Sequence, residues 1–323
     1  MKPLSVDVII CTRNRGVLIE NTIGSLQAST WNDFQAYIID QSTDQKTAQV
    51  VEPYCEKDAR FHYIHTTSVG LDIARNVGIK TGDGDVIAYI DDDCWADPKW
   101  LENIMAEYEI NDDVWAVFGR IIPGGRITTL QGSDSKLEKA LPMAKIEYPE
   151  RRIYQHNRFN LGFGHGANMT VQRSTFQKVG LYDELLGAGG WLRSWPERDL
   201  GYRILKEGGK IVYTPHAIVH HYHWRGWPEV IKTNQNYAIG CGAAVGKYLR
   251  KGDLSAIFIL LEWIWSQGVR QMFSGLFKWR SWKKFYIGWT QIIFPFVGLK
   301  MGKRYQLSNQ FCIYLSPDEQ TKN

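Results

Sequence analysis

Three consecutive aspartates, Asp91, Asp92 and Asp93, end the apolar segment DVIAYI. Alternate side chains of a strand share a face, so we expect the carboxylates of Asp91 and Asp93 to point the same way and repel each other. A divalent cation relieves such repulsion, and carboxylate oxygens suit Mg²⁺ or Mn²⁺, which complete their shells with water and phosphate oxygens. The aspartates therefore predict a metal site. The alternative is a solvated acidic turn or a helix N-cap, because Asp97-Pro98 opens the next helix.

The segments before these aspartates alternate between strand and helix patterns. The strand patterns are VDVIICT, FQAYIID, FHYIHT and DVIAYID, and the helix patterns cover about 16–29, 47–57 and 71–80. This alternation predicts an α/β fold with a Rossmann-like mixed, mainly parallel sheet, whose ligands bind beyond the carboxyl ends of the strands. Polar residues follow three of the strands, at 12–15, 40–42 and 91–93, and we expect the site there.

Further elements are predicted in the second half of the chain. Helix patterns cover about 99–109 and 199–206, and strand patterns cover about 115–122, 168–172 and 210–214. The Gly- and Ser-containing stretch that ends near Asn160 is interpreted as a loop over the site. No GxGxxG fingerprint follows the first strand and no GxxxxGK[ST] loop occurs, which excludes the dinucleotide-dependent dehydrogenase and P-loop classes.

Charge and cysteine content limit the classes further. The 323 residues include 38 Lys or Arg and 34 Asp or Glu, and the formal net charge of +4 is too near neutral for a generic nucleic-acid-binding protein. The five cysteines are widely spaced and form no CxxC pair, so we predict a reducing compartment and neither disulfides nor a zinc knuckle. The N-terminal segment carries no recognisable export signal.

Four motifs in order, VDVIICTRNR, IIDQS, GLDIARNVGI and YIDDD, resemble the family-2 glycosyltransferases of the A-type nucleotide-sugar fold. The resemblance continues through GHGANMTVQRSTFQKVGLYDE, PERDLGYRI and YTPHAIVHH, and covers roughly residues 6–221. It implies a glycosyltransferase of the hexosyltransferase class. Such an enzyme moves a sugar from a nucleotide-diphospho-sugar, with a UDP-sugar favoured, to a glycan or lipid-linked acceptor in polysaccharide or cell-envelope biosynthesis.

The resemblance also implies residues that bind the donor. It places the base and ribose at Thr12, Arg13 and Asp40, and a nucleotide contact at Arg75. Asp40 offers acceptors to ribose hydroxyls or a pyrimidine N–H, and Arg75 offers a fork of donors to phosphate or carbonyl oxygens. In isolation, Asp40 would be interpreted as a turn residue and Arg75 as a surface residue of a helix.

The family's D-x-D element corresponds to Asp91 and Asp93, which would hold Mn²⁺ or Mg²⁺. Asp92 is assigned to donor binding, facing the ribose or the other side of the sheet. His221 is a third candidate ligand, and its imidazole suits Mn²⁺ better than Mg²⁺. The cation would offset the charge that develops on the departing nucleoside diphosphate.

A second acidic cluster, Glu197-Arg198-Asp199, corresponds to the position of the catalytic base, which is commonly an Asp in the family. Glu197 occupies that position, and Asp199 is the alternative base. Either acid also suits the first turn of a helix, where it interacts with the helix dipole. One base without a second nucleophilic acid implies direct displacement and inversion of the anomeric configuration. Trp191 and Trp195 are candidates for stacking on a sugar ring.

The tail differs in composition from the rest of the chain. Residues 245–323 contain 12 Lys or Arg and four acids, with five Trp among apolar runs. We therefore predict a nucleotide-sugar-binding half at 1–97, an acceptor-binding and catalytic half at 98–245 and a helical tail at 246–323. The runs at 254–269 and 285–299 are short for a membrane span, so we expect two interfacial helices on an anionic membrane surface.

This prediction makes the enzyme cytoplasmic and peripheral at the inner face of the cell membrane. The alternative for the tail is a helical hairpin in a homo-oligomer interface. A nucleotidyltransferase is the alternative enzyme class, but the Gly-rich loop with a Lys that it needs after the first strand is absent. An inactive glycan- or lipid-binding scaffold of the same fold is the third hypothesis, and Glu197 in place of the usual Asp favours it.

Overall fold

The first half of the chain forms four parallel strands connected by helices. The computed structural model describes residues 4–111, 113–124, 144–156, 158–223 and 225–316, so much of the loop expected before Asn160 lies outside the described residues. The strands are β1 (Val6–Thr12), β2 (Phe34–Asp40), β3 (Phe61–His65) and β4 (Val86–Ile90), and the helices are α1 (Gly16–Gln27), α2 (Lys46–Lys57) and α3 (Leu71–Thr81). All seven elements confirm the sequence prediction.

The second half adds strands of both directions to the same sheet. Its elements are β5 (Cys94–Ala96), α4 (Trp100–Ile110), β6 (Val114–Gly124), β7 (Arg152–Tyr154), β8 (Asn168–Gln172), α5 (Arg173–Val179), α6 (Pro196–Lys206) and β9 (Lys210–Tyr222). The strand order is β3-β2-β1-β4-β8-β6-β9-β5, and β7 also pairs with β9. β8 is antiparallel to β4 and β6, whereas β6 and β9 form a long parallel pair. The sheet is mixed and mainly parallel, as predicted.

Two elements extend beyond their predicted ends, and both extensions matter for the site. The pattern KIVYT predicts a strand that ends at Thr214, but β9 continues to Tyr222 because β5 and β6 pair with its second half. The helix predicted from Asp199 begins at Pro196, since the first helical turn leaves its N–H groups unbonded and tolerates proline. Glu197 therefore lies inside the first turn of α6.

The central strands are buried on both faces, which explains their continuous apolar runs. Successive side chains of β1 enter different parts of the core: Ile9 packs with Ile39 and Ile87, whereas Val8 and Ile10 pack on the other side of the sheet. The sheet is thus a rigid layer whose carboxyl edge presents polar loops at fixed positions.

Three helical segments follow the sheet. α7 (Trp227–Arg250) leads to a segment at 254–278, in which α8 (Ile257–Trp263) and α9 (Arg270–Phe273) alternate with π-helical turns, and then to α10 (Trp282–Gly302). A Cβ on Gly242 would collide with the carbonyl oxygen of Pro295, and one on Gly298 with that of Ile239, so glycines allow α7 and α10 to approach closely. The composition changes near Gly246, but α7 passes through that position without a break.

Membrane crossing was not expected of either apolar run in the tail. Among the helices of the described ranges, none combines the length and the apolarity that a bilayer span requires.

Candidate active site

Four potential ligand side chains meet where the loop after β4 leads into β5, which pairs with β9. Asp91, Asp93, Cys94 and His221 each present one atom, and these atoms lie within 4.8 Å of one another. The antiparallel pairing of β5 with β9 places Cys94 opposite His221 and so brings the imidazole to the aspartates. His221 Nε2 lies 3.4 Å from Asp93 Oδ1. The three side chains predicted as metal ligands are therefore adjacent in the fold.

This donor set fits a divalent cation. Burial, followed by the charge of Asp93, raises the pKa of Asp91, so the two carboxylates repel each other as expected. Two carboxylates with an imidazole suit Mn²⁺. Burial also raises the pKa of the Cys94 thiol well above its ordinary value, which makes it a poor ligand. The buried Nδ1 of His221 has no hydrogen-bond partner among the residues that the structure describes.

Asp92 joins the loops that follow β1 and β4. Its Oδ2 accepts a hydrogen bond from Thr12 Oγ1 at 2.8 Å, and its Oδ1 accepts one from Arg15 Nη1 at 2.9 Å. Burial raises the pKa of Asp92 to about 7, although the Arg15 charge acts in the opposite direction. Arg15 lies in the polar loop at 12–15 where the site was expected, but no individual role was assigned to it from the sequence.

A cavity of about 340 Å³ lies beside the aspartates. Its lining includes the predicted donor-binding residues Thr12, Arg13, Asp91 and Asp92, together with Asp93. Arg15 and Gln41, which lie in the polar loops where the site was expected, also line it. The lining residues that the sequence did not indicate are Cys11, Val69, Gly70, Leu71, Ala188, Gly189 and Arg225. The cavity is thus formed by loops at the carboxyl edge of the sheet, where the alternation of strands and helices predicts ligand binding.

Asp40 is fully buried and is held by its own neighbours. Its Oδ1 accepts a hydrogen bond from the Ser42 backbone N–H and its Oδ2 one from the Tyr63 hydroxyl, both at 2.8 Å. Gln41, the next residue, lines the cavity and accepts a hydrogen bond from the backbone N–H of Gly70 at 3.2 Å. In this structure Asp40 shapes the loop that presents Gln41.

Arg75 is 3 % exposed and is not among the described residues that line the cavity. Its guanidinium sits over the rings of Tyr89 and Tyr182, and its Nη1 donates a hydrogen bond to Asp72 at 3.1 Å. A Cβ on Gly166 would collide with its Nη2, so that glycine leaves room for the guanidinium. The charge of Arg75 lowers the pKa values of both Asp91 and Glu197, which links the two acidic clusters electrostatically.

Glu197 is buried at the start of α6, after Trp195 in a left-handed backbone conformation with φ of 105°. Its Oε1 lies 3.6 Å from His165 Nδ1. Burial opposes ionisation of Glu197, but His165 and the charges of Arg198 and Arg75 outweigh that cost and lower its pKa to about 2. The carboxylate is therefore ionised at neutral pH.

Asp199 is also buried, but its oxygens are occupied. Oδ2 accepts a hydrogen bond from Arg203 Nε at 3.1 Å. Oδ1 accepts one from the Tyr248 hydroxyl at 2.5 Å and lies 2.8 Å from Lys247 Nζ. Burial opposes its ionisation, and the charges of Lys247 and Arg203 outweigh burial and lower the pKa. Asp199 thus connects α6 to α7.

The two tryptophans suggested for sugar stacking lie in different surroundings. Trp191 is 64 % exposed, and its ring is accessible. Trp195 is 2 % exposed and packs edge-on against Trp263, with ring centroids 5.6 Å apart. The prediction for Trp195 is therefore wrong, because the tail helices cover its ring, and those contacts are not visible in the local sequence.

A second cavity, of about 350 Å³, is lined by residues of α6, α7 and the tail helices and by His165, which contacts Glu197. Its basic and imidazole side chains are His165, Arg198 and Lys284 of α10. The remaining lining residues are Trp227, Val230, Asn234, Tyr237, Trp263, Gln267, Gln271, Ile287 and Gln291. Apart from Arg198, these residues carry no local signal in the sequence, because they belong to five separate segments.

Known proteins are similar to this chain in sequence. A glucosyl-dolichyl phosphate glucuronosyltransferase from Haloferax volcanii is 26% identical over 231 residues, which cover 68% of this chain and 69% of that protein. An uncharacterized glycosyltransferase from Bacillus subtilis, EpsJ, is 32% identical over 111 residues, which cover 34% of this chain and 32% of EpsJ.

Solved structures share the fold, and a family model matches the sequence. The Pyrobaculum calidifontis mannosyltransferase PcManGT, in complex with GDP-Man and Mn²⁺, aligns with a TM-score of 0.61 at 15% identity and covers 93% of this chain and 88% of its own. GalNAc-T7 with UDP, GalNAc and Mn²⁺ aligns with a TM-score of 0.52 at 17% identity over 74% of this chain and 48% of its own. The model "Glycosyl transferase family 2" matches residues 7–180. Because that match covers more than half of the chain, the protein belongs to glycosyl transferase family 2 and is a glycosyltransferase.

Proposed function

We propose that the protein transfers a hexose from a nucleotide-diphospho-sugar, with a UDP-sugar favoured, and that the reaction depends on Mn²⁺ or Mg²⁺ and inverts the anomeric configuration. The observation that carries the proposal is the cluster of Asp91, Asp93 and His221 at the edge of the donor cavity. Two similar structures, PcManGT and GalNAc-T7, hold a nucleotide with Mn²⁺.

Asp91, Asp93 and His221 would hold the cation, which when bound offsets the negative charge on the leaving nucleoside diphosphate. Thr12, Arg13 and Gln41 line the cavity that would receive the nucleoside. Arg75 adds a positive charge that acts on both Asp91 and Glu197. The chain thus supplies positioning and electrostatic stabilisation on the leaving-group side.

Glu197 would act as the general base on the acceptor side. It takes the proton of the acceptor hydroxyl while that oxygen bonds to the anomeric carbon. The bond from the anomeric carbon to the diphosphate oxygen breaks, and its electron pair leaves with the nucleoside diphosphate. A single displacement of this kind inverts the configuration. Asp199 is less suited to this role, because Arg203, Tyr248 and Lys247 already occupy its oxygens.

We propose a glycan or lipid-linked acceptor and a peripheral location at the cytoplasmic face of the cell membrane. Fifteen of the twenty large apolar side chains that are exposed in the described ranges lie between 254 and 297. Basic residues adjoin them, including Lys278, Arg280 and Lys283. Exposed aromatics beside basic side chains suit an anionic lipid surface.

The test is a panel of nucleotide-sugars with Mn²⁺, scored by protection against heat and by release of the nucleoside diphosphate. Wild-type protein should bind one donor and release its diphosphate, and Glu197→Gln should bind that donor equally but release about 10²–10⁴-fold more slowly. Glu207→Gln, at the exposed end of the same helix, is the control and should match wild type.

Equal release by Glu197→Gln and wild type would refute the assignment of the base. Donor binding by wild type without release or transfer, with any acceptor offered, would instead support the inactive scaffold.

A further inference from the structure

A third cavity, of about 230 Å³, lies at the end of α6. Its walls come from the ends of α5, α6 and α7 and from the segment at 310–312. It shares no described lining residue with the cavity beside the aspartates or with the second cavity. Neither the candidate metal ligands nor Glu197 line it, so the proposed reaction gives it no role.

Two tyrosine rings form part of the wall of this third cavity. The ring centroids of Tyr202 on α6 and Tyr248 on α7 lie 4.6 Å apart. The Tyr202 hydroxyl donates a hydrogen bond to Asp253 Oδ2 at 2.7 Å, and the Tyr248 hydroxyl donates one to Asp199 Oδ1 at 2.5 Å. Because both hydroxyls are occupied, these residues offer a ligand their ring surfaces.

Other uncharged side chains extend this aromatic wall. Val179, Phe311 and Cys312 line the same cavity. Burial raises the pKa of the Cys312 thiol to about 11, so the thiol is neutral at physiological pH. An apolar cavity of about 150 Å³ holds a benzene molecule. The third cavity therefore has room for an aromatic ring with one small substituent, and its walls suit such a ring.

Two of the four cations in the lining are paired with carboxylates. Lys206 Nζ lies 3.1 Å from Asp253 Oδ2, and Arg203 Nε lies 3.1 Å from Asp199 Oδ2. Each of these cations is thus neutralised by an anion of the protein.

The other two cations, Lys178 and Lys251, have no carboxylate within 4 Å in the described ranges. The Lys178 ammonium lies 4.1 Å from the centroid of the Trp115 ring, and the Lys251 ammonium donates a hydrogen bond to the Asn309 carbonyl at 3.3 Å. Glu207 is the remaining charged residue of the described lining. Two lysines against one glutamate leave a net charge of +1, which favours a ligand with one negative charge.

One side chain of the lining carries a buried donor without a partner. Arg203 is 5 % exposed, and its Nη1 donates to the carbonyl oxygens of Val179 and Gly180 at 2.5 and 3.1 Å. Its Nη2 has no hydrogen-bond partner among the residues that the structure describes. A buried N–H group without a partner is unfavourable, and an oxygen of a bound ligand would satisfy it. A carboxylate matches the planar donor geometry of a guanidinium.

We propose that the third cavity binds a small aromatic carboxylate. Its ring packs against Tyr202, Tyr248 and Phe311, and its carboxylate accepts a hydrogen bond from Arg203 and is neutralised by the two lysines that lack a carboxylate. Acetate would leave the aromatic wall uncovered, and a neutral arene would leave the guanidinium donor without a partner. Arg203 and Tyr248 also hold Asp199, so the bound molecule contacts side chains that fix the first half of α6. The site is additional to the proposed function and does not rest on it.

Titration calorimetry of the full chain with benzoate, in the presence of a chelator, tests the proposal. Benzoate should bind, whereas acetate, which lacks the ring, and benzyl alcohol, which lacks the charge, should each bind at least tenfold more weakly. Cys312→Phe places a ring inside the cavity and should abolish binding, and Cys312→Ser should retain it. Lys178→Gln combined with Lys251→Gln should weaken binding about tenfold, because the two cations near the carboxylate are lost.

Lys57→Gln removes an exposed charge from α2 and is the control that should bind benzoate as wild type does. Wild-type affinity in either Cys312→Phe or the double lysine variant would overturn the proposal. Benzyl alcohol that binds as tightly as benzoate, or no binding by folded wild type, would also overturn it. Lys178 and Lys251 are exposed, so the double variant remains decisive if Cys312→Phe does not fold. Binding of UDP with Mn²⁺ and sugar transfer are measured separately, and their failure would count only against the proposed function.

Discussion

Glu197 and Asp199 stand two positions apart in α6, and their carboxylates lie in different surroundings. Glu197 faces His165 at 3.6 Å beside the second cavity, whereas Asp199 accepts a 2.5 Å hydrogen bond from Tyr248 on α7. Residues two apart on a helix are about 200° apart around its axis, so one turn supplies two unrelated environments. The proposed division of roles between these acids follows from that difference.

Asp199→Asn should destabilise the fold. The substitution leaves Lys247 and Arg203 buried with one fewer anionic partner, and breaking a buried ion pair costs about 3–5 kcal/mol. Denaturant unfolding should show this loss, and Glu207→Gln should show almost none. A stable Asp199→Asn protein that binds donor and fails to transfer sugar would identify Asp199 as the base.

The contribution of Glu197 to stability should depend on pH. The pKa of Glu197 is lowered to about 2 in the folded protein, from 4.5 for the ordinary side chain. A lowered pKa stabilises the fold at every pH above the unfolded value, and that contribution disappears as pH falls toward 2. The difference in unfolding free energy between wild type and Glu197→Gln should be constant near neutral pH and shrink below about pH 4.5. A difference that grows on acidification would contradict the prediction.

Asp93→Ala should remove the effect of a chelator on nucleoside diphosphate binding. In wild type, removal of the cation leaves the diphosphate facing two unneutralised carboxylates, so affinity should fall sharply. In Asp93→Ala, binding should be weak with or without chelator. Glu56→Ala replaces an exposed acid on α2 and should retain the wild-type response. Unchanged chelator sensitivity in Asp93→Ala would place the cation elsewhere.

Trp282→Ser combined with Phe296→Ser should reduce sedimentation with vesicles that contain anionic lipid. Their side chains are 75 % and 53 % exposed, so the fold loses little when they change. Ile110→Ser, which alters an exposed apolar side chain on α4, is the control. Substitution is a cleaner test than truncation near Ala244, because truncation would also remove Lys247 from its buried ion pairs. Equal sedimentation, or dissociation of an oligomer in the double variant, would favour the homo-oligomer alternative.

The local pattern of apolar and polar residues was sufficient to predict the strands and helices of the first half of the chain. The conformation of β1 follows from its own apolar run and the polar loop after it. The conformations of α1 and α3 likewise follow from the pattern of their own residues. The three aspartates after β4 predict a cation site from the sequence, because the repulsion between their carboxylates arises from residues next to one another in the chain. The resemblance to family 2 also assigned roles to Glu197 and His221. Without it, the residues around these two positions do not indicate a function.

Contacts between segments that are distant in the sequence decided the surroundings of the candidate site residues. His221 reaches the aspartates because β9 extends past Thr214 and pairs with β5. Asp199 is occupied by Lys247 and Tyr248 of α7, and the ring of Trp195 is covered by Trp263 of the tail. Sequence alone determined the mixed, mainly parallel sheet, the family resemblance and the candidate acidic residues. Each of these follows from patterns and motifs of residues close together in the chain. Only the tertiary structure decided that Lys247, Arg203 and Tyr248 saturate Asp199 whereas Glu197 faces His165, because hydrogen-bond saturation depends on side chains brought together by packing.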